Sequence, residues 1–129
     1  MHERNYQKDV CSEIIDSFFI VYNNLGFGYL EKVYENALRV ELESKGLGVQ
    51  TQKPIKVIYK GVVVGEYFAD LFVDNSVIVE IKTAAKLTSE NESQLLNYLT
   101  ATNTEHGVLL NFGPKPAFRR MISSLSTAR

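Results

Sequence analysis

Residues 67–83 read YFADLFVDNSVIVEIKT. Two apolar runs flank the turn-forming triplet Asp74-Asn75-Ser76, so the stretch reads as two antiparallel strands joined by a short loop. In the second run Val77, Val79 and Ile81 alternate with Ile78, Glu80 and Lys82. That is the period of a strand, and one this apolar should be buried. Its second half nevertheless sets a carboxylate and an ammonium on one face. The first run holds Asp70 between Phe68 and Phe72 of the same face. Whether Asp70 meets Glu80 depends on the loop, because residues opposite each other in an antiparallel pair have a constant index sum. A two-residue turn at Asp74-Asn75 pairs Asp70 with Val79 and points the two carboxylates to opposite faces. A three-residue turn pairs Val73 with Val77, Phe72 with Ile78 and Asp70 with Glu80, their Cβ atoms about 5 Å apart. Three-residue loops with a bulge are common and serine needs no burial, which makes the second register a workable one.

The flanking sequence supplies the remaining elements. Upstream, Ile55, Val57 and Tyr59 alternate with lysines, Lys60-Gly61 marks a tight turn, and Val62–Val73 reads as a long strand bent at Gly65. With Val77–Lys82 this makes a three-stranded antiparallel meander. Further upstream, Val10, Ile14, Phe18, Val21, Tyr22 and Leu25 recur at three- and four-residue steps, predicting a helix from about Glu3 to Asn24. After the break at LGFGYL, Leu30, Val33, Tyr34, Ala37, Leu38 and Leu42 predict a second helix ending near Lys45-Gly46. Downstream, Ser89-Glu90-Asn91-Glu92 fits a capping box with Ser89 as the cap, opening a third helix to about Thr102. HGVLLNF is then a short strand. A strand, a helix and a strand in that order predict a crossover that lays the last strand parallel to the third. The tail beyond Gly113-Pro114 is left between helix and strand. The expected class is α/β of the α+β kind: a mixed central sheet, antiparallel meander plus one parallel strand, flanked by helices.

The 129 residues suffice for a single domain, 1–129, with one core. Apolar residues make up 45% and charged residues 22%, the balance of a soluble globular protein, and no apolar run is long enough to span a bilayer. No membrane association is expected, and MHERNYQKDV does not read as a secretory signal. The single cysteine, Cys11, excludes a disulfide framework within one chain and points to a reducing, cytoplasmic setting. With two histidines and one cysteine, a metal site must rest on oxygen ligands, favouring magnesium, manganese or calcium over zinc. The net charge of −1 is not that of a protein that coats nucleic acid electrostatically, yet it leaves room for an enzyme acting on nucleic acid.

Two carboxylates facing each other at about 5 Å repel by about 3 kcal/mol at an effective dielectric near 20. A shared proton, Lys82 or a divalent cation could offset this. The cation accounts for most residues, since Lys82 could then reach a water or phosphate oxygen beside it. The competing reading is structural: Lys82 snorkels from a strand end and forms a partly exposed pair with Glu80. On the second helix, Glu31 projects within about 20° of Leu38 and Leu42, at the edge of the buried stripe. Gln94 and Tyr98 are i, i+4 neighbours that can face one site.

GFGYLEKVYENAL contains Gly28-x-x-Glu31-x-x-Tyr34 and resembles the signature of the small bacterial and archaeal GxxExxY proteins. The resemblance continues through YFADLFVD, VIVEIKT, SQLLNYL and GVLLNFG, over roughly Ile14 to Phe112. That family is assigned to the PD-(D/E)xK nuclease superfamily, so the resemblance implies a restriction-endonuclease-like core and a Mg²⁺-dependent nuclease, with Mn²⁺ an acceptable substitute. It implies Asp70 and Glu80 as metal-binding carboxylates, Glu31 as the helix glutamate completing the metal site, and Lys82 as the lysine that positions the attacking water. Gln94 and Tyr98 match a pair that lies beside the site in related nucleases. Ala69 stands where a proline often precedes the first aspartate. The implied partner is nucleic acid, DNA before RNA, with Lys86 a further substrate contact alongside Lys53, Lys56, Lys115, Arg119 and Arg120. A homodimer would help cut both strands of a duplex, though no interface is legible. The alternative is a catalytically silent nucleic-acid-binding or regulatory module that keeps the nuclease fold.

Overall fold

The computed structural model describes residues 3–123, the first six of them as backbone. Its elements in chain order are α1 (Glu3–Leu25), α2 (Glu31–Ser44), β1 (Val49–Tyr59), β2 (Val62–Val73), β3 (Val77–Lys82), α3 (Ser89–Thr102), β4 (His106–Phe112) and β5 (Pro116–Ile122). The strands form one sheet in the order β1-β2-β3-β4-β5. Only β3 and β4 run parallel, joined through α3 as the crossover requires. The undecided tail is β5, antiparallel to β4. Among the described residues no helix is long and apolar enough to cross a membrane.

Parity along β3 divides the core. Val77, Val79 and Ile81 pack with Ile14 and Phe18 of α1 and Tyr34, Leu38 and Leu42 of α2. Ile78 packs on the other side with Leu95, Tyr98 and Leu99 of α3. Both faces of β3 are therefore covered, which is why four of its six residues, all but Glu80 and Lys82, are apolar. Phe18, Tyr34 and Phe112 are fully buried, and the Tyr34 and Phe112 rings stack with centroids 4.3 Å apart. Each such side chain contributes about 1.5–3 kcal/mol of transfer free energy.

Tyr34 also shapes the entrance to α2. Its hydroxyl donates to the Gly26 carbonyl at 2.6 Å and accepts from the Tyr29 N–H at 3.1 Å. The turn this closes needs positive φ at Gly26 (71°) and Gly28 (125°), which glycine adopts without a Cβ penalty. The spacing of Gly28 and Tyr34 thus has a purely structural use.

The β2–β3 loop has the three-residue form. Val73 pairs with Val77, Phe72 with Ile78 and Leu71 with Val79. Asp74 and Asn75 both lie at positive φ, and the Ser76 N–H closes the turn onto the Val73 carbonyl at 3.0 Å. The bend expected near Gly65 is a bulge: Val57 pairs with Gly65 and Ile58 with Val63, so Val64 has no partner. β1 and β2 run well past the end of β3 as a two-stranded ribbon, on which Ile58, Tyr59, Val62 and Val64 stand exposed.

α3 begins differently from the expected cap. The N-cap is Thr88, not Ser89: its side chain accepts from the Asn91 N–H at 3.2 Å, and the Asn91 side chain accepts from the Thr88 N–H at 3.0 Å. Thr88 holds the extended conformation a cap needs, with Asn91 rather than Glu92 as its reciprocal partner.

Candidate active site

The ladder between β2 and β3 stops at Leu71 and Val79. One step further lie Asp70 and Glu80, and here the side chains replace the backbone bonds. The Asp70 N–H donates to Glu80 Oε2 at 2.9 Å, and the Ile81 N–H donates to Asp70 Oδ2 at 2.7 Å. Each carboxylate is thereby fixed through one oxygen. Asp70 Oδ1 and Glu80 Oε1 take part in neither bond. The sequence expected the pair to face each other across a regular ladder; the strands instead part to admit the two carboxylates.

Electrostatics follow from this placement. Burial, and next the charge of Asp70, push the Glu80 carboxyl up to about 8 from an ordinary 4.5. The bond from the Asp70 N–H and the Lys82 ammonium oppose the rise, and Glu31 adds to it. Asp70 is raised as well, first by burial and then, against the pull of the Ile81 N–H bond, by the charges of Glu35 and Glu31; Lys82 lowers it. The pair is thus short of positive charge, and Lys82 supplies it only from a distance. Lys82 is half-buried at the last position of β3, and its charge lowers both carboxyls.

The segment following Lys82 is pinned by a residue the sequence did not single out. Asn111 lies beside Lys82 in the parallel ladder and is almost fully buried. The Ala84 N–H donates to Asn111 Oδ1 at 2.9 Å, and Asn111 Nδ2 donates back to the Ala84 carbonyl at 3.0 Å. A Cβ on Gly113 would run into that same carbonyl, so only glycine fits there.

Glu31, expected at the edge of the buried stripe, is exposed at the first position of α2. The buried acid of that helix is Glu35, 4% exposed. Lys32 Nζ donates to it at 3.0 Å, and Gln52 Nε2 donates to its two oxygens at 3.1 and 3.3 Å. Gln52 of β1 sits at φ 51° between the pairs Thr51–Leu71 and Lys53–Ala69, hence opposite Asp70 of β2. Glu35 is therefore the more enclosed of the two helix carboxylates that act on Asp70.

On α3, Gln94 and Tyr98 do come together. They line a groove of about 940 Å³ between the helix and the β1–β2 ribbon, opposite Tyr67 and Lys56. The Tyr98 hydroxyl is pushed up to about 12, first by burial and then by Glu80, with Tyr67 and Asp70 adding to it, so one wall of the groove lies within electrostatic reach of the carboxylate pair. Lys86 is exposed on the loop before α3 and is outside the groove. Of the other cations, Lys53 covers the Phe72 ring at 4.4 Å and Arg119 pairs with Glu92 at 3.4 Å.

The donor set suits a hard divalent cation: two carboxyl groups, each anchored by a backbone N–H through one oxygen and keeping the other out of that bond, with burial and like charge awaiting neutralisation. Among the described residues no group of three or more His, Cys, Asp and Glu side chains gathers as a metal cage. Further ligands would be water or substrate oxygens, as is usual for Mg²⁺.

A mixed sheet between helices, with an aspartate and a Glu-x-Lys meeting where two strands part, defines a restriction-endonuclease-like nuclease fold. The model of the PD-(D/E)XK nuclease superfamily matches residues 8–121, and the chain belongs to that superfamily. Among solved structures, the crystal structure of SSO0001 is similar at 19% identity and a TM-score of 0.55, covering 72% of this chain and 50% of that one. This chain thus spans about half the length of that protein, and the likeness is one of fold. The structure of Hjc from Archaeoglobus fulgidus, a Holliday junction resolvase from an archaeal hyperthermophile, matches at 20% identity and a TM-score of 0.40, covering 69% of this chain and 72% of that one. No curated protein matches the chain.

Proposed function

We propose that this protein is a divalent-metal-dependent nuclease that hydrolyses phosphodiester bonds, with DNA the first substrate to test and RNA the second. The observation that carries the reading is the carboxylate pair: Asp70 and Glu80 are each anchored through one oxygen, and Glu80 is pushed up to about 8. Such a pair is stabilised by a dication, Mg²⁺ or Mn²⁺. Bound there, the ion would neutralise phosphate charge and lower the pKa of a water.

The chain's own residues take the remaining roles. Asp70 and Glu80 hold the metal, and Glu31 contributes negative charge at the same place. Lys82 holds the attacking water and stabilises its deprotonated form. Asn111 positions Lys82 by fixing the backbone that follows it. Gln94 and Tyr98 contact the substrate from α3, and Lys86 meets a phosphate from the loop. The Gly28-x-x-Glu31-x-x-Tyr34 spacing supports kinship with the GxxExxY proteins within the superfamily, as one domain working in the cytoplasm. A homodimer is the form that would serve cleavage of both strands.

The test is cleavage of single-stranded, duplex and branched DNA, and of RNA, with Mg²⁺ or Mn²⁺. Asp70→Asn, which can still accept from the Ile81 N–H, and Lys82→Ala should each lower the rate by at least about 100-fold while circular dichroism stays native. Binding without cleavage of any substrate, unchanged in Asp70→Asn, would replace the nuclease by a silent nucleic-acid-binding module.

A further inference from the structure

The groove beside Tyr98 is not explained by hydrolysis. It has the size of a small-molecule site, about 300–1,000 Å³, and lies between α3 and the part of the β1–β2 ribbon that β3 does not reach. Its only oppositely charged side chains are Lys56 and Glu90, which cancel. The rest of its polar lining is amide and hydroxyl: Gln94 and Asn97 on adjacent turns of α3, with serines nearby. Tyr67, about half exposed, presents its ring across the groove, tilted 39° to Tyr98 with centroids 5.7 Å apart.

We infer that this groove is a subsite for an unpaired nucleobase of the substrate strand. A phosphate track requires a run of cations, which a charge-balanced groove lacks. A base is neutral and flat with a hydrogen-bonding edge, and it matches an exposed tyrosine face flanked by amides that both donate and accept. Bases within a duplex are stacked and cannot enter. Tyr67 lies against Tyr98, which packs in one cluster with Ala69, the neighbour of Asp70, and with Ile78, two residues before Glu80 on the same face of β3, so a base held there belongs to a nucleotide close to the phosphate at the carboxylate pair. The preferred substrate therefore carries an unpaired nucleotide next to the cut, as a single strand, bulge or branch does. Naming it a substrate rests on the nuclease reading; the subsite itself rests on the groove.

The experiment measures binding with Ca²⁺ in place of Mg²⁺. Wild-type protein is titrated with three DNAs of equal length: a duplex with one bulged 2-aminopurine, the same bulge carrying an abasic site, and a fully paired duplex containing 2-aminopurine. The base-bearing bulge should bind about tenfold more tightly than the abasic one, its fluorescence should fall on binding, and the paired probe should show no such fall. Tyr67→Phe should retain the preference and Tyr67→Ala should abolish it. Equal affinity for base-bearing and abasic bulges, or no binding of either, overturns the subsite, and this comparison uses wild type alone should Tyr67→Ala not fold. Base preference in a protein that cleaves nothing with Mg²⁺ removes the nuclease reading and keeps the subsite. Cleavage without base preference does the reverse.

Discussion

Replacing Glu80 by glutamine should make the metal-free protein more stable, and increasingly so as pH rises. Glutamine keeps an oxygen to accept from the Asp70 N–H and cannot ionise. In the wild type the folded state holds a proton on Glu80 up to about 8, whereas the unfolded chain releases it near 4.5. The stability that this proton confers is complete below about pH 4.5, drains away as pH rises to about 8, and is level above. At about 1.4 kcal/mol per tenfold change in proton activity, the full loss approaches 5 kcal/mol, less whatever water entering the half-open site recovers. Asp70, shifted in the same direction, adds to the loss. Against a total stability of about 5–15 kcal/mol this is a large share, and at about 4 °C per kcal/mol it corresponds to a melting-point difference of roughly 10–20 °C. Urea unfolding followed by far-ultraviolet circular dichroism in EDTA, at pH 5, 7 and 9, reads it directly. The two proteins should be close at pH 5 and far apart at pH 9, with Mg²⁺ narrowing the gap at pH 9 by stabilising the wild type. Parallel curves from pH 5 to 9 would show that Glu80 ionises normally and that the pair carries no stored repulsion.

Asn111→Ala leaves the N–H and carbonyl of Ala84 without their partner; it should lower the urea midpoint by the equivalent of about 2–5 kcal/mol and reduce cleavage through looser placement of Lys82. Gly113→Ala drives a methyl group into the Ala84 carbonyl and should destabilise by about 1–3 kcal/mol in the same unfolding assay. Thr88→Ala removes the α3 cap and should lower stability by about 1 kcal/mol, whereas Ser89→Ala should change it by less than about 0.5 kcal/mol.

How far the sequence reached depended on whether local rules could decide. The β2–β3 register was legible because a loop length fixes every pair beyond it, and the apolar pairings favour the three-residue turn over the two-residue one. The parting of the strands at Asp70 was not, since an index sum assumes a regular ladder and cannot say when side chains will substitute for it. Glu35 falls within about 20° of Leu42 in the same projection that suggested Glu31, so a signal existed. What settles their burial is tertiary: α2 starts at Glu31 beside the Tyr34-locked turn, and Gln52 reaches Glu35 from β1. Asn111 gave no signal because its partner is 27 residues away and meets it only through the crossover. Thr88 and Ser89 are both competent caps by residue type, and backbone geometry chose between them. β5 was ambiguous because an edge strand buries little, and PAFRRMI alternates only weakly.

The most direct test of the central claim is a crystal of the wild-type protein soaked in Mn²⁺ and recorded at a wavelength where manganese scatters anomalously. The account predicts a peak between Asp70 and Glu80, within coordination distance of Asp70 Oδ1 and Glu80 Oε1, that disappears in Glu80→Gln. A well-ordered site with no peak there, or with the ion bound elsewhere and the two carboxylates untouched, would contradict it.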